Sequence, residues 1–432
     1  MIWTDRFGYS LEEAMDLEWA VASRVSQRLT GRPTRGMAGK VPPRSTSAYA
    51  LYLRAGDYLE DADDPSGPDE ALRLYQRALD ADPDFALAWA GRSRALWKIW
   101  NRDKTAESIR LAEEAADRAV RLDPELLEAR LARAQIYRAT SRYAASIGEL
   151  QAVLSVTPNW DEAEVQLAAA YRESGDLVKA EASLRRAVAL RPEYWRNWNQ
   201  LGALLVRRGD YAGARTAFQQ VVRLIPDKNR GYEQLAAVEL LEADYAAAID
   251  TYEKLPVPVQ DGALATNIGT AYFYQRRLPE AERYYRLATG FEPRNPTYRL
   301  NLGDLHTRAG RPDSARVQYL EAVRLFEDML HVDPNDTQLK LIRAVGLAKS
   351  GDCGQAEAAL KGIASSLPAN DAQSAHEVAR IEAVCGQRAR ALEALRKAVA
   401  LGFSVRLIQA EDEFRALAGD PAFLALVNGE KH

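Results

Sequence analysis

Three short fragments carry residue types associated with catalysis or metal binding. His376-Glu377-Val378-Ala379-Arg380 begins like the helix of a zinc protease, in which histidines four apart hold the metal and the glutamate acts as base. Arginine stands where the second histidine is required. Gly91-Arg92-Ser93-Arg94-Ala95 has the outline of a nucleophile elbow, yet that turn needs a strand before it, and this stretch falls inside a predicted helix. The four histidines, His306, His331, His376 and His432, are too scattered to define a dyad or a metal cluster. Two cysteines are too few for a structural zinc site. Asn335-Asp336-Thr337 matches a glycosylation acceptor, but Asn and Asp just after Pro334 are better read as a helix N-cap. No catalytic, metal-binding or cofactor-binding set converges, so the expectation is a protein that is not an enzyme and carries no cofactor.

The bulk properties agree with a binding role. The chain has 432 residues, 47% hydrophobic and 27% charged, a composition that forms cores. Its formal charge of -4 lacks the basic excess of a protein that works on phosphate backbones, so nucleic acid is not an expected partner. No uninterrupted apolar stretch reaches the roughly 18 residues needed to span a membrane. The first 21 residues do not read as a secretion signal.

The elements that would position any site repeat along the chain. Prolines 83, 124, 158, 192, 226, 293, 334 and 368 each follow a predicted helix, and four of the intervals are 34 residues. A fixed period of this size predicts a solenoid of helix pairs. The stretch 197–227 shows the unit: Trp198, Leu201, Gly202, Leu205, Gly209, Tyr211, Ala214, Ala217, Phe218 and Pro226. These positions resemble the tetratricopeptide repeat (TPR), with W-x2-L-G-x2-Y, then A-x3-F, then P. Later units carry the same marks at Gly269, Tyr272, Ala281, Tyr285 and Pro293, and at Gly303, Gly310, Ala315 and Tyr319.

Small residues belong where the two helices of a pair cross, because larger ones would hold apart axes that lie about 8 to 10 Å from each other. Proline ends the second helix, having no amide to donate. About ten pairs are predicted, with first helices over 47–60, 84–100, 125–139, 159–173, 193–207, 228–241, 260–274, 296–308, 336–349 and 371–384. The expected fold is all-α, a right-handed superhelical α-solenoid. Two intervals, Pro83 to Pro124 and Pro293 to Pro334, are 41 residues, and seven extra residues are about two helical turns. Each irregular repeat is therefore expected to carry a lengthened helix.

Three segments are expected: residues 1–46, an amphipathic helix over 8–29 followed by a basic linker; 47–403, the repeat array; and 404–432, a helical cap for the last repeat. Residues 2–29, AYALYLRAGDYL at 48–59 and EDEFRALAGDPAFLALV near the end resemble the corresponding parts of bacterial serine/threonine protein kinases and winged-helix transcription regulators that carry TPR arrays. No kinase motif is present in this chain. The resemblance implies a regulatory or sensor module of a signalling protein, and an assembly or chaperone-like adaptor is the alternative.

Cys353 opens one predicted helix and Cys385 closes the next, so both sit at one level of a hairpin turning near Pro368 and Ala369. They are either two small buried apolar residues or a disulfide, which would imply an oxidising, extracytoplasmic setting. Without it, a cytoplasmic location is equally open.

Resemblance to other TPR proteins implies a concave groove lined by positions 2, 5, 9, 12 and 13 of each first helix. Those positions give Arg94, Trp97, Gln135, Arg138, Arg172, Arg196, Asn199, Arg207, Arg230, Thr266, Asn267, Thr270, Phe273 and Tyr274. The central set leans basic, which points to a protein or peptide partner with acidic side chains. The alternative is that these arginines are solvated surface groups. The lysine-and-asparagine clamp of chaperone-binding TPRs is not present as a set.

Overall fold

The computed structural model describes residues 45–60 and 65–428. The helix expected over 8–29, and the linker up to residue 44, lie outside the described residues. Among the described residues the protein is all-α, an α-solenoid type of fold built from consecutive packed helix pairs. Two compact units divide it, residues 1–208 and 209–432.

In the first unit the helices are α1 (Thr46–Glu60), α2 (Gly67–Ala81), α3 (Ala86–Asp103), α4 (Ala106–Leu122), α5 (Leu127–Ala139), α6 (Tyr143–Val156), α7 (Asp161–Glu173), α8 (Leu177–Leu190) and α9 (Trp195–Arg207). In the second they are α10 (Tyr211–Leu224), α11 (Asn229–Leu241), α12 (Tyr245–Tyr252), α13 (Gly262–Tyr274), α14 (Leu278–Phe291), α15 (Pro296–Arg308), α16 (Pro312–Val332), α17 (Thr337–Lys349), α18 (Cys353–Ile363), α19 (Ala372–Val384) and α20 (Arg388–Ala400). Then come α21 (Val405–Ala410), a 3-10 turn over Asp412–Leu417, and α22 (Pro421–Asn428). The odd-numbered helices from α1 to α19 are the ten expected first helices, with ends within three residues of the expected ones.

Local chemistry accounts for the boundaries. Asp176, Asp210, Asp244 and Asp352 each accept a hydrogen bond from the amide three residues on, at 2.9 to 3.1 Å, capping α8, α10, α12 and α18. The aromatic at position 4 of a first helix ties back to the preceding proline: Trp89 and Trp198 donate their indole N–H to the carbonyls of Pro83 and Pro192 at 2.9 and 2.8 Å. Small residues let the helices approach. A Cβ placed on Gly303 would lie 2.3 Å from the Tyr319 ring, so alanine there would displace the tyrosine.

The two long repeats use their extra residues differently. The eighth places them all in α16, which has 21 residues against 14 in α14. The second shares them, α3 having 18 residues and α4 17. Lys104 takes a left-handed conformation (φ 55°) between these two helices, and this shorter turn absorbs the difference.

The turn between paired helices also requires a left-handed residue. Gly175 and Gly351 supply it at φ 92° and 95°, whereas Ser141, Ala243 and Arg276 adopt φ of 60°, 56° and 58° with a side chain attached. An L-residue pays about 1–2 kcal/mol for that conformation. Part of the gain from glycine is lost to its freer unfolded chain. Ala243→Gly is therefore expected to stabilise the protein by about 0.5–1 kcal/mol, seen as a higher urea midpoint; an unchanged or lower midpoint would contradict the assignment.

Cys353 and Cys385 are joined by a disulfide with Cα atoms 5.5 Å apart, linking the start of α18 to the residue after α19. The bond closes a span of 32 residues. Loop entropy of that size corresponds to about 3–4 kcal/mol. The double replacement Cys353→Ala/Cys385→Ala is expected to lower stability by that amount, and reduction of the wild type to reproduce the loss.

Candidate peptide-binding groove

Counting from the first residue of each helix, positions 5, 9, 12 and 13 of the last first-helices are chemically dense. They include Phe273 and Tyr274 on α13, Asp304, Thr307 and Arg308 on α15, Lys349 on α17, and His376, Arg380 and Val384 on α19. None of these, apart from Phe273 and Tyr274, was among the groove residues drawn from the sequence. All of them except His376 line one cavity of about 330 Å³, whose lining also includes Tyr319 from α16 and the acidic run Glu411, Asp412 and Glu413.

Charge pairing organises this site. Arg308, with a side chain only 4% exposed, lies with its guanidinium 3.7 Å from the centre of the Phe273 ring and forms an ion pair with Asp412. It also donates to the carbonyl of Phe273 at 3.0 Å. Lys349 bridges Asp304 at 2.6 Å and Glu413 at 2.5 Å. Arg380 contacts Glu413 at 2.8 Å and Glu377 at 2.9 Å. His376 is stacked on Phe403 at 4.0 Å, and its Nε2 lies 2.7 Å from Glu411. Tyr319 donates its hydroxyl to Asp304 at 2.7 Å.

Burial would neutralise Glu413, but Lys349 and Arg380 overcome that penalty and hold its carboxyl well below the usual range. Burial likewise opposes the charge of Arg380, and Glu377, Glu413, Glu411 and Asp304 raise its pKa in spite of it. Burial, with Glu411 nearby, pushes Tyr245 up to about 12. Tyr245 stacks on Tyr274 at 4.7 Å, so aromatic rings wall the site on the side of α12 and α13.

The residues taken from the sequence have different surroundings. Arg138 is paired with Glu173 at 2.6 Å and Arg172 with the same carboxylate at 3.3 Å, so the two guanidiniums share one counter-ion. Both line a hollow of about 170 Å³ with Gln166 and Gln200. Arg94 and Arg196 line another of about 400 Å³, with Lys98, Arg191, Asp161 and Glu162. Arg196 packs its guanidinium over Tyr194 and Trp195, 5.6 and 4.9 Å from the ring centres. Trp97 packs against the core of α3, α4 and α5 with its indole N–H unpaired, and Gln135 is half-buried. Asn199 is half-buried with its side-chain oxygen unpaired. Arg207 and Arg230 are exposed. Thr270 donates to the carbonyl of Thr266 at 2.9 Å, a bond within its own helix. The residues missed by the sequence reading occupy the same helical positions. Their signal was a cation recurring at Arg308, Lys349 and Arg380 together with the acidic triplet at 411–413.

The chain belongs to the tetratricopeptide repeat family, whose profile matches residues 104–164, 165–229, 199–263 and 266–329, more than half of the sequence. No curated protein matches it in sequence. Among solved structures, it is similar to a tetratricopeptide repeat protein from Parabacteroides merdae, with 16% identity over 57% of this chain and 94% of the other, at a TM-score of 0.39. A thermophilic TPR protein from Thermus thermophilus is 20% identical over 45% of this chain and 99% of its own, with a TM-score of 0.39. MamA from Desulfovibrio magneticus is 22% identical over 42% of this chain and 96% of its own, with a TM-score of 0.32. Among the described residues no helix is long and apolar enough to cross a membrane.

A carboxylate held ionised by its partners adds stability above its unfolded pKa, near 4.3 for glutamate. That stability is lost as pH falls toward the depressed folded value. Glu413 faces Lys349, Arg380, Asp304 and Glu411, and Glu377 on α19 is depressed as well because Arg380 and His376 outweigh its burial. Hydrogen-exchange protection over residues 405–417, corrected for intrinsic rate, is expected to stay level from about pH 5 to 8 and to fall below about pH 4. Loss of protection already between pH 7 and 5 would rule out this ion network as the clamp.

Proposed function

We propose that this protein is an interaction scaffold that holds an extended, acidic segment of a partner protein on the concave face of its first unit, over the repeats from α3 to α9. As a class, TPR folds are protein-interaction scaffolds, and the finer assignment rests on one observation. The hollow of about 400 Å³ lined by Arg94, Lys98, Arg191 and Arg196 gathers four cations around Asp161 and Glu162, with Tyr194 beside them. A carboxylate-bearing peptide gains from guanidinium contacts there and from an aromatic flank. Arg138, Arg172, Gln135 and Asn199 would extend the same strip. The array spans residues 47–403 in this reading, with 404–432 closing its end.

The biological setting we propose is a regulatory or sensor module of a bacterial signalling protein, as the resemblance to TPR-bearing kinases and winged-helix regulators implies. The Cys353–Cys385 bond favours an oxidising compartment. An assembly adaptor would use the same surface, and the identity of the captured partners separates the two.

Partner capture by wild type is to be compared with Arg94→Glu/Arg196→Glu and with Arg283→Glu, whose side chain is exposed on α14. The double variant is expected to reduce recovery of acidic partners at least tenfold, about 1.4 kcal/mol or more, while Arg283→Glu leaves recovery unchanged. Full recovery of every partner by the double variant would remove the proposed groove.

A further inference from the structure

The segment after α20 does more than cover the last repeat. Its apolar residues Ile408, Phe414, Leu417, Phe423 and Val427 do pack with α20 and α19, around Leu392, Leu395 and Ala379, as an end cap would. A cap of that kind needs to touch only the tenth repeat. This segment instead reaches back through four further repeats. Arg406 donates to the carbonyl of Glu242, after α11, at 3.2 Å. Arg308 on α15 pairs with Asp412 and donates to the carbonyl of Ala410 at 3.4 Å. Lys349 on α17 holds Glu413 at 2.5 Å, and on α19 Arg380 holds Glu413 while His376 meets Glu411.

The chain thus lays three consecutive carboxylates and a buried phenylalanine along helix positions 5, 9 and 13 of the repeats between α13 and α19. Each carboxylate meets a different cation or imidazole, and Phe414 sits edge-on to His376 with ring centres 5.9 Å apart. Carboxylates matched to cations and an imidazole select acidic residues, where an end cap would need only apolar area. About 330 Å³ beside the acidic run remains unfilled, walled by Phe273, Tyr274 and Tyr319, so the groove is larger than the segment lying in it.

We propose that the concave face of the second unit is a recognition surface for a partner segment bearing two or three consecutive carboxylates followed by an aromatic residue, and that Glu411–Phe414 occupies it in cis. The inference goes beyond the function proposed for the first unit and does not depend on it. A tethered segment experiences an effective concentration on the order of millimolar. A partner present at micromolar levels is therefore refused until the tail is displaced or loosened. The groove is self-inhibited, and its specificity is written in the chain's own sequence.

The test uses the full chain and a fluorescein-labelled peptide of residues 408–418, IQAEDEFRALA, followed by anisotropy. Wild type is expected to bind it weakly or not at all at micromolar concentration. Glu411→Gln/Asp412→Asn/Glu413→Gln, which loosens the tail, is expected to bind it at least tenfold more tightly. Adding Arg308→Gln to that variant should abolish the gain, which also separates this site from the groove of the first unit. A peptide with the three acids replaced by Lys, Asn and Lys should not bind. Should the triple variant fail to fold by circular dichroism, wild type with millimolar IQAEDEFRALA serves instead. Hydrogen exchange over residues 405–417 is then expected to accelerate while α19 is unchanged. A folded triple variant that gains no affinity, equal binding of the charge-swapped peptide, or tail exchange that excess peptide leaves unchanged would each overturn the proposal.

Discussion

A helical hairpin of this size cannot bury its own apolar seam, and every other feature follows from that. Each pair must lay its inner face against the next pair, so the core is a run of interfaces rather than a centre. Close approach of the helices is the condition for those interfaces. Gly303 has no room for a Cβ beside the Tyr319 ring, and Gly269 none beside Tyr285. Fully buried alanines at position 4 of the second helices, Ala180, Ala214, Ala281 and Ala391, serve the same close approach. A larger residue at any of them would open the seam on both sides, which is why the period carries small residues at fixed offsets.

The same constraint frees one surface for function. Charged residues at positions 12 and 13 of the first helices, such as Arg138, Arg172 and Arg308, pair outside the apolar seam, whereas Leu300, Leu341 and Val345 at positions 5 and 9 belong to it. Within the first unit these charged residues and their neighbours are partly neutralised by carboxylates on adjacent repeats: Glu173 takes Arg138 and Arg172, and Asp161 takes Arg191 and Asn197. Within the second, the cations on α15, α17 and α19 are neutralised by the chain's own later residues together with Asp304 and Glu377. The difference is one of connectivity. Burial sharpens the second case, because a charge as enclosed as Arg308 or Lys349, with 4% and 6% of the side chain exposed, cannot be left without a counter-ion at low cost.

Most of the fold was legible in the sequence. The prolines, the Gly-Asp turns and the small residues at crossings are each fixed by local backbone chemistry, so ten hairpins and their ends followed from one chain. The seven-residue insertions showed as intervals of 41, but not their distribution. Placing them all in α16, or dividing them between α3 and α4, depends on how tight a turn the intervening residues accept, as the left-handed Lys104 shows. The level of Cys353 and Cys385 on their hairpin also followed from spacing, because a hairpin pairs residues symmetrically about its turn. Whether the two sulfurs face each other is a matter of side-chain direction.

The candidate site was legible only in part. Of the residues read from helix positions, Arg138, Arg172, Arg196 and Phe273 line hollows. That reading could not show that Glu173 compensates two of those arginines, or that residues 411–413 return to Arg308, some hundred positions earlier. By itself the sequence determined the repeat, its helices and the face each helix offers, because those depend on contacts within about 34 residues. Only the tertiary structure decided which of those faces is occupied, because closing the chain over a hundred residues depends on curvature accumulated across several repeats, and no local pattern encodes that sum.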